Sequence, residues 1–339
     1  MTSLQNRLSV CLLLIGAFVA IAACEAPISA NALAPRKRTS TAPIQVVATV
    51  GMVADVVRAI GGSQVAVTQL MGPGVDPHLY KGTRDDVRAI LAADIVFYSG
   101  LMLEGKLIDT LEKVSLKKPV IEITRSLDQS SLFVSDEEGH HADPHVWMDV
   151  SLWSACVPMI VDTLCEYDPA NATEFRAAAV RYQENLAALH AYGQQIIASV
   201  PAEGRVLITS HDAFHYFGRA YGLEVFGVQG LATDSEAGLK QINSLVDTIV
   251  KRKISAVFVE SSVPQKSILA VVDGAASRGH QIIVGGELFS DAMGPAGTYE
   301  GTYIGMLDHN LTVVARSLGG SAPLRGMQGK LAETINQHD

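Results

Sequence analysis

Residues 168–200 read DPANATEFRAAAVRYQENLAALHAYGQQIIASV, and this stretch decides how the rest of the chain is organised. Asp168-Pro169 is a good helix start, a capping side chain followed by proline at the first helical position. Phe175, Ala179, Tyr182, Leu186, Leu189 and Ile196 then recur at steps of four, three, four, three and seven. That is one apolar stripe on a helix of about 30 residues, roughly 45 Å long. A helix of this length can run the length of a molecule and join two lobes.

On either side of it, short β-rich runs alternate with amphipathic stretches, the signature of parallel α/β layers. Before the helix, strands are predicted at 44–50, 65–70, 95–98 and 120–123, and helices at 53–60, 84–92 (after the capping Thr83), 105–114 and 150–166. After it, strands are predicted at 205–209, 224–228, 254–259 and 281–284, and helices at 213–221, 236–251, 265–277 and 302–318. The expected fold is α/β, with two lobes, each a mostly parallel four-stranded sheet with flanking helices, joined by one long rigid helix. Residues 44–167 and 201–339 would form the lobes, with 168–200 between them.

The N-terminus is set apart. Arg7 precedes an apolar run from Val10 to Ala22, too short to span a bilayer comfortably and suited to a signal-peptide core. It ends Ile21-Ala22-Ala23-Cys24, which looks like a bacterial lipobox, so residues 1–23 would be removed and Cys24 lipidated. The alternative is ordinary cleavage near Ala30, leaving a soluble periplasmic protein. Residues 24–43 mix Pro, Ser, Thr and a basic triplet without periodicity and read as a flexible tether. The net charge of −9 offers no basic footprint for nucleic acid. Cys156 and Cys165 fall nine residues apart in one predicted helix, on nearly opposite faces, and are expected to be buried thiols rather than a bridge.

Four loops carry the chemistry. Gly286 to Gly294 follows an apolar run and holds two acids, Glu287 and Asp291. Loops at the carboxyl ends of strands are where open α/β sheets place ligands. Upstream, Asp76-Pro77-His78 and Asp143-Pro144-His145 repeat a tripeptide, and Ser210-His211-Asp212 opens the second lobe. Any one of these could be a solvated loop or a helix cap. Together they offer three imidazoles and a carboxylate, a set that suits a first-row divalent ion.

The stretches Gly74 to His78, Asp143 to Asp149, Thr209 to Phe214 and Gly285 to Asp291 resemble the motifs of metal-binding solute-binding proteins of ABC transporters, the TroA-like zinc/manganese branch. The similarity runs from about residue 44 to 318 and includes Val259 to Pro264. The resemblance implies that His78, His145, His211 and Asp291 are the metal ligands, held between two four-stranded lobes. Glu287, Asp149 and Glu260 are candidates for supporting them. It also implies an extracytoplasmic, membrane-anchored protein whose partners are a metal ion and a membrane permease, and a monomer is expected. Zinc-dedicated relatives often carry a long histidine-rich acidic loop, and here 136–141 retains only His140 and His141. Many manganese-dedicated relatives have glutamate where this chain has His211. The pattern therefore sits between the two metals, and nitrogen-rich ligation by itself favours zinc.

Two other readings compete. His211 and His215 are four residues apart, similar to the His-Glu-x-x-His helix of zinc proteases, and could serve an exported hydrolase. A lipid-anchored adhesin with a structural metal is the other. Four protein ligands leave no open position for an activated water, which points to binding rather than turnover, so no enzyme activity is expected.

Overall fold

The computed structural model describes residues 38, 41–135, 141–234 and 237–332. The signal peptide, Cys24, most of the tether and Asp136 to His140 lie outside the described residues. The first lobe is a parallel sheet of order β2-β1-β3-β4, with β1 Ile44–Ala48, β2 Val65–Gln69, β3 Ile95–Tyr98 and β4 Val120–Glu122. Helices α1 Gly51–Gly61, α2 Arg84–Ala92 and α3 Ile108–Ser115 make the crossovers. Thr83 caps α2 as expected: its hydroxyl accepts from Asp86 N–H while the Asp86 carboxylate accepts from Thr83 N–H, a reciprocal capping box. A short antiparallel pair, β5 Val134–Ser135 with β6 His141–Ala142, flanks 136–140.

The predicted single helix 150–166 is two, α4 Val150–Ser154 and α5 Val157–Tyr167. Pro158 lies at the start of α5, where its missing N–H costs nothing, and a continuous helix would have needed that donor. Cys156 therefore precedes α5 rather than sharing its axis with Cys165, and both thiols are free and buried.

The bridging helix is α6, Ala172–Ala198, 27 residues and so about 40 Å long. All six predicted stripe residues are buried. Its start differs from expectation: Pro169–Asn171 forms a single 3-10 turn, and Asp168 makes no cap bond. Its carboxylate instead pairs with Arg38 and accepts from Asn171 Nδ2 at 2.7 Å, which fastens the end of the tether to the body. α6 packs on α1, α4 and α5 of the first lobe and on α7 His215–Tyr221 and α10 Tyr303–Ser317 of the second. Gly193 permits that approach, because a Cβ there would lie 2.7 Å from Tyr221 and 2.9 Å from Leu311.

In the second lobe, β7 Val206–Thr209 pairs with β8 Glu224–Gly227, and β9 Ala256–Glu260 with β10 Ile283–Leu288, both parallel, with β7 and β9 side by side. α8 Leu239–Arg252 and α9 Lys266–Ser277 cover these ladders and enclose their own apolar cluster around Val257, Ile249 and Val271. β10 runs four residues further than predicted, through Glu287. A bulge between Val284 and Gly286 re-aims it, with Gly286 at φ 150°, a conformation that favours glycine.

The larger core is continuous across the lobes, running from Val46 and Phe97 through Leu186 and Leu189 of α6 to Leu307, Leu311 and Leu288. Leu186→Ala should therefore cost about 2–5 kcal/mol. It should shift one urea transition shared by tryptophan fluorescence and far-UV circular dichroism. Two resolved transitions would contradict a shared core.

Candidate metal centre

The repeated Asp-Pro-His tripeptides build the same turn twice. Asp76 Oδ1 accepts from His78 N–H at 2.8 Å, and Asp143 Oδ1 accepts from His145 N–H at 2.9 Å. An aspartate bonding the backbone two residues on is an Asx turn, and the intervening proline stiffens it. Asp143 does more, because the same oxygen lies 2.7 Å from His145 Nδ1. Glu260, at the end of β9, treats His211 alike: Oε1 accepts its N–H at 2.9 Å and Oε2 lies 2.6 Å from its Nδ1. A carboxylate on Nδ1 fixes the tautomer with Nδ1 protonated and turns the Nε2 lone pair the other way.

Those Nε2 atoms converge. His78 Nε2 is 3.2 Å from His145 Nε2, His145 Nε2 is 3.4 Å from Asp291 Oδ1, and His211 Nε2 is 3.3 Å from Asp291 Oδ2. One donor atom from each of the four residues lies within 4.8 Å of all the others. Ligands about 2.0–2.1 Å from a tetrahedral ion stand about 3.4 Å apart, so these spacings fit a small divalent cation. His211 Nε2 and Asp291 Oδ1 are buried without a hydrogen-bond partner, a costly arrangement unless a shared cation faces them. His145, His211 and Asp291 are buried, and His78 is partly exposed.

The protein's own charges set the site's proton affinity. Burial opposes charge on His145, but the Asp143 and Asp291 carboxylates outweigh it and push the pKa up to about 9. His211 is likewise raised well above its ordinary value, burial being overcome by Glu260 and Asp291. His78 goes the other way, to about 3, because burial and the neighbouring rings outweigh the Asp291 attraction. Asp291 is held well below the carboxylate range, its burial overcome by His211 and His145.

Asp291 is positioned from both lobes. Trp147 Nε1 donates to Ser290 O at 2.9 Å, and Tyr303 Oη donates to Trp147 O at 2.7 Å. Asn310 clamps the preceding residue, accepting from Phe289 N–H at 2.9 Å and donating to its carbonyl at 2.7 Å. Of the three predicted supporters, Glu260 meets His211 directly. Asp149 instead caps α4, accepting from Ser151 and Leu152 N–H. Glu287 lies exposed on β10, and its carbonyl, rather than its carboxylate, meets His309. Glu287 belongs to the strand and Asp291 to the loop beyond it, so the two are not equivalent loop acids. The roles of Asp143 and Asn310 were missed; the repeated tripeptide was a signal for the former, and nothing local marked the latter. His145 follows the short β6 rather than the carboxyl end of a parallel strand. His211 lies in the loop before α7 while His215 opens that helix, so the two do not share a helical face as a protease pair would.

The chain matches the family described as "ZnuA: Zinc-uptake complex component A periplasmic" over residues 46–317. It is 46% identical over 275 residues to the manganese-binding lipoprotein MntA of Bacillus subtilis, covering 81% of this chain and 90% of that protein. It is 45% identical over 273 residues to the zinc-binding protein TroA of Treponema pallidum, covering 80% and 88%. The solved structure of the periplasmic zinc-binding protein TroA from Treponema pallidum superposes with a TM-score of 0.79 at 44% identity, covering 81% of this chain and 99% of that one. A two-lobed fold, a converging three-histidine, one-aspartate cluster and these likenesses lead to one conclusion: the chain belongs to the ZnuA family of periplasmic metal-uptake components, with the TroA-like solute-binding proteins.

Proposed function

We propose that this protein captures a divalent transition metal, zinc or manganese, outside the cytoplasmic membrane and delivers it to the permease of an ABC transporter. The convergence of His78, His145, His211 and Asp291 carries the reading, with these four as the ligands. Residues 44–167 and 201–339 act as the lobes and 168–200 as the strut between them. The metal is cargo, and a full set of protein ligands suits holding and releasing an ion rather than activating water. His78, the one partly exposed ligand, marks the side by which the ion enters and leaves. Because α6 and the shared core resist hinge opening, release needs only a small displacement of one ligand loop. The protein works as a monomer, tethered to the membrane through a lipid on Cys24.

His211→Ala should keep the fold and lose more affinity for zinc and manganese than the roughly 10–100-fold that loss of an outer carboxylate such as Glu260 costs. Calorimetry with each metal, alone and in competition, reads this; unchanged affinity would sink the assignment. Protons should compete with metal. His145 binds a proton with a pKa of about 9, so affinity should weaken steadily as the pH is lowered from that value. The stability sign is opposite with a chelator present. A pKa raised from 6.5 adds stability that is fully present below 6.5 and lost as the pH rises through about 9. Thermal unfolding from about pH 6 to 9.5 should therefore show the melting temperature falling with pH in chelator and the gap to metal-loaded protein widening. For the anchor, Cys24→Ser should move the protein from the membrane fraction to the soluble one, and retention on the membrane would count against lipidation.

A further inference from the structure

His215 has no place among the four converging ligands, yet it stands between two acids that flank them. Its Nε2 lies 3.1 Å from Asp212 Oδ1 and its Nδ1 3.6 Å from Asp143 Oδ2. Both oxygens are buried and have no hydrogen-bond partner among the described residues, so the ring meets them as ion-pair contacts. Asp143 is 1% exposed and Asp212 24%, whereas His215 is 37% exposed and reaches water. Asp143 belongs to the first lobe and holds His145; Asp212 follows His211 in the second. A single imidazole thus faces a carboxylate from each lobe with each of its nitrogens, and only its doubly protonated form can donate to both. The next residue grips the same segment independently. Tyr216 Oη donates to Asp143 O at 2.9 Å and accepts from Phe133 N–H at 3.1 Å.

We infer that His215 is a positioning residue for metal retention: it holds the Asp143 carboxylate in line with His145 and bridges it to Asp212 across the lobes. The inference rests on the metal-binding reading above. Without the ring, two carboxylates face each other with no cation between them, and Asp143 is free to swing away from His145 Nδ1. The ion should then leave faster and the 143–145 turn, closed by that same carboxylate, should open more often, although Tyr216 still ties the Asp143 carbonyl.

The test is a chelator chase from zinc- and manganese-loaded wild-type protein and from the His215→Ala, His215→Gln, Asp143→Asn and doubly substituted Asp143→Asn/His215→Ala proteins. Release should be about tenfold faster in His215→Ala, the low end of what outer partners contribute. It should be about threefold faster in His215→Gln, which keeps one donor. In the Asp143→Asn background, His215→Ala should add nothing further, because both changes act through one contact. In chelator, backbone hydrogen exchange over 141–149 should also quicken in His215→Ala. Wild-type release from His215→Ala, a full tenfold effect in the Asp143→Asn background, or unchanged exchange would each overturn the inference. Should His215→Ala fail to fold, His215→Gln decides alone, since faster release supports the role and an equal rate refutes it. Wild-type protein that binds neither metal would instead overturn the proposed function.

Discussion

Asp143 and Glu260 each accept two hydrogen bonds from a single histidine, one from its backbone N–H and one from its ring. Held at two points, the ring cannot rotate away, and its free nitrogen must point into the centre. The sheet supplies one carboxylate and the crossing loop the other, so each lobe brings its own pre-oriented imidazole. Asp291 then closes the set from the end of β10, with both oxygens facing histidines. Three buried carboxylates around three imidazoles form a strongly anionic pocket when the rings are neutral. Such a pocket is stable only with a cation inside, whether protons or a metal, and the two compete for the same lone pairs.

That arrangement requires the lobes to be held in fixed relation, and the apolar packing does this. The shared core runs through α6 into α10, so the two pairs of converging residues are parts of one packed body. Polar contacts across the cleft reinforce it. Trp147 reaches Ser290, Tyr303 reaches Trp147, and Asp55 accepts from both Tyr182 and Tyr303. Asp55 is half-buried, and desolvation raises its pKa despite these donors. A binding protein built this way gains selectivity from preorganisation, because ligands already in place lose little entropy on closing round an ion. The fixed spacing near 3.3 Å suits a small ion that accepts nitrogen, which fits zinc and still admits manganese.

Much of this was legible in the amino-acid order because the physics involved is local. The stripe of α6, the Thr83 cap and the strand at 95–98 follow from periodicity and capping chemistry within a few residues. The repeated Asp-Pro-His turn is likewise local: each aspartate bonds a backbone N–H two residues on, wherever the chain goes next. The four converging residues stand out in the sequence because each sits in such a turn or just past a strand's end, and the family resemblance is what singled them out as candidate ligands. Element boundaries were less secure where one residue shifts the balance, as Pro158 does between α4 and α5.

Tertiary structure decided the rest, since it depends on contacts between residues far apart in the chain. Glu260 meets His211 across 49 residues, and Asn310 clamps Phe289 across 21. Nothing in the spacing distinguished Glu260 from Glu287 as a supporting acid. β10 continues past Gly286 because pairing with β9 outweighs the turn tendency of two glycines, and this carries Glu287 to the exposed face. Asp168 could have capped a helix, but Arg38 competed for its carboxylate and a 3-10 turn took the cap's place. The sequence by itself therefore determined the elements, the stiff turns and the imidazoles and carboxylates available to the site. Only packing set which carboxylate stands behind which imidazole, because that choice is made by two lobes meeting rather than by either segment alone.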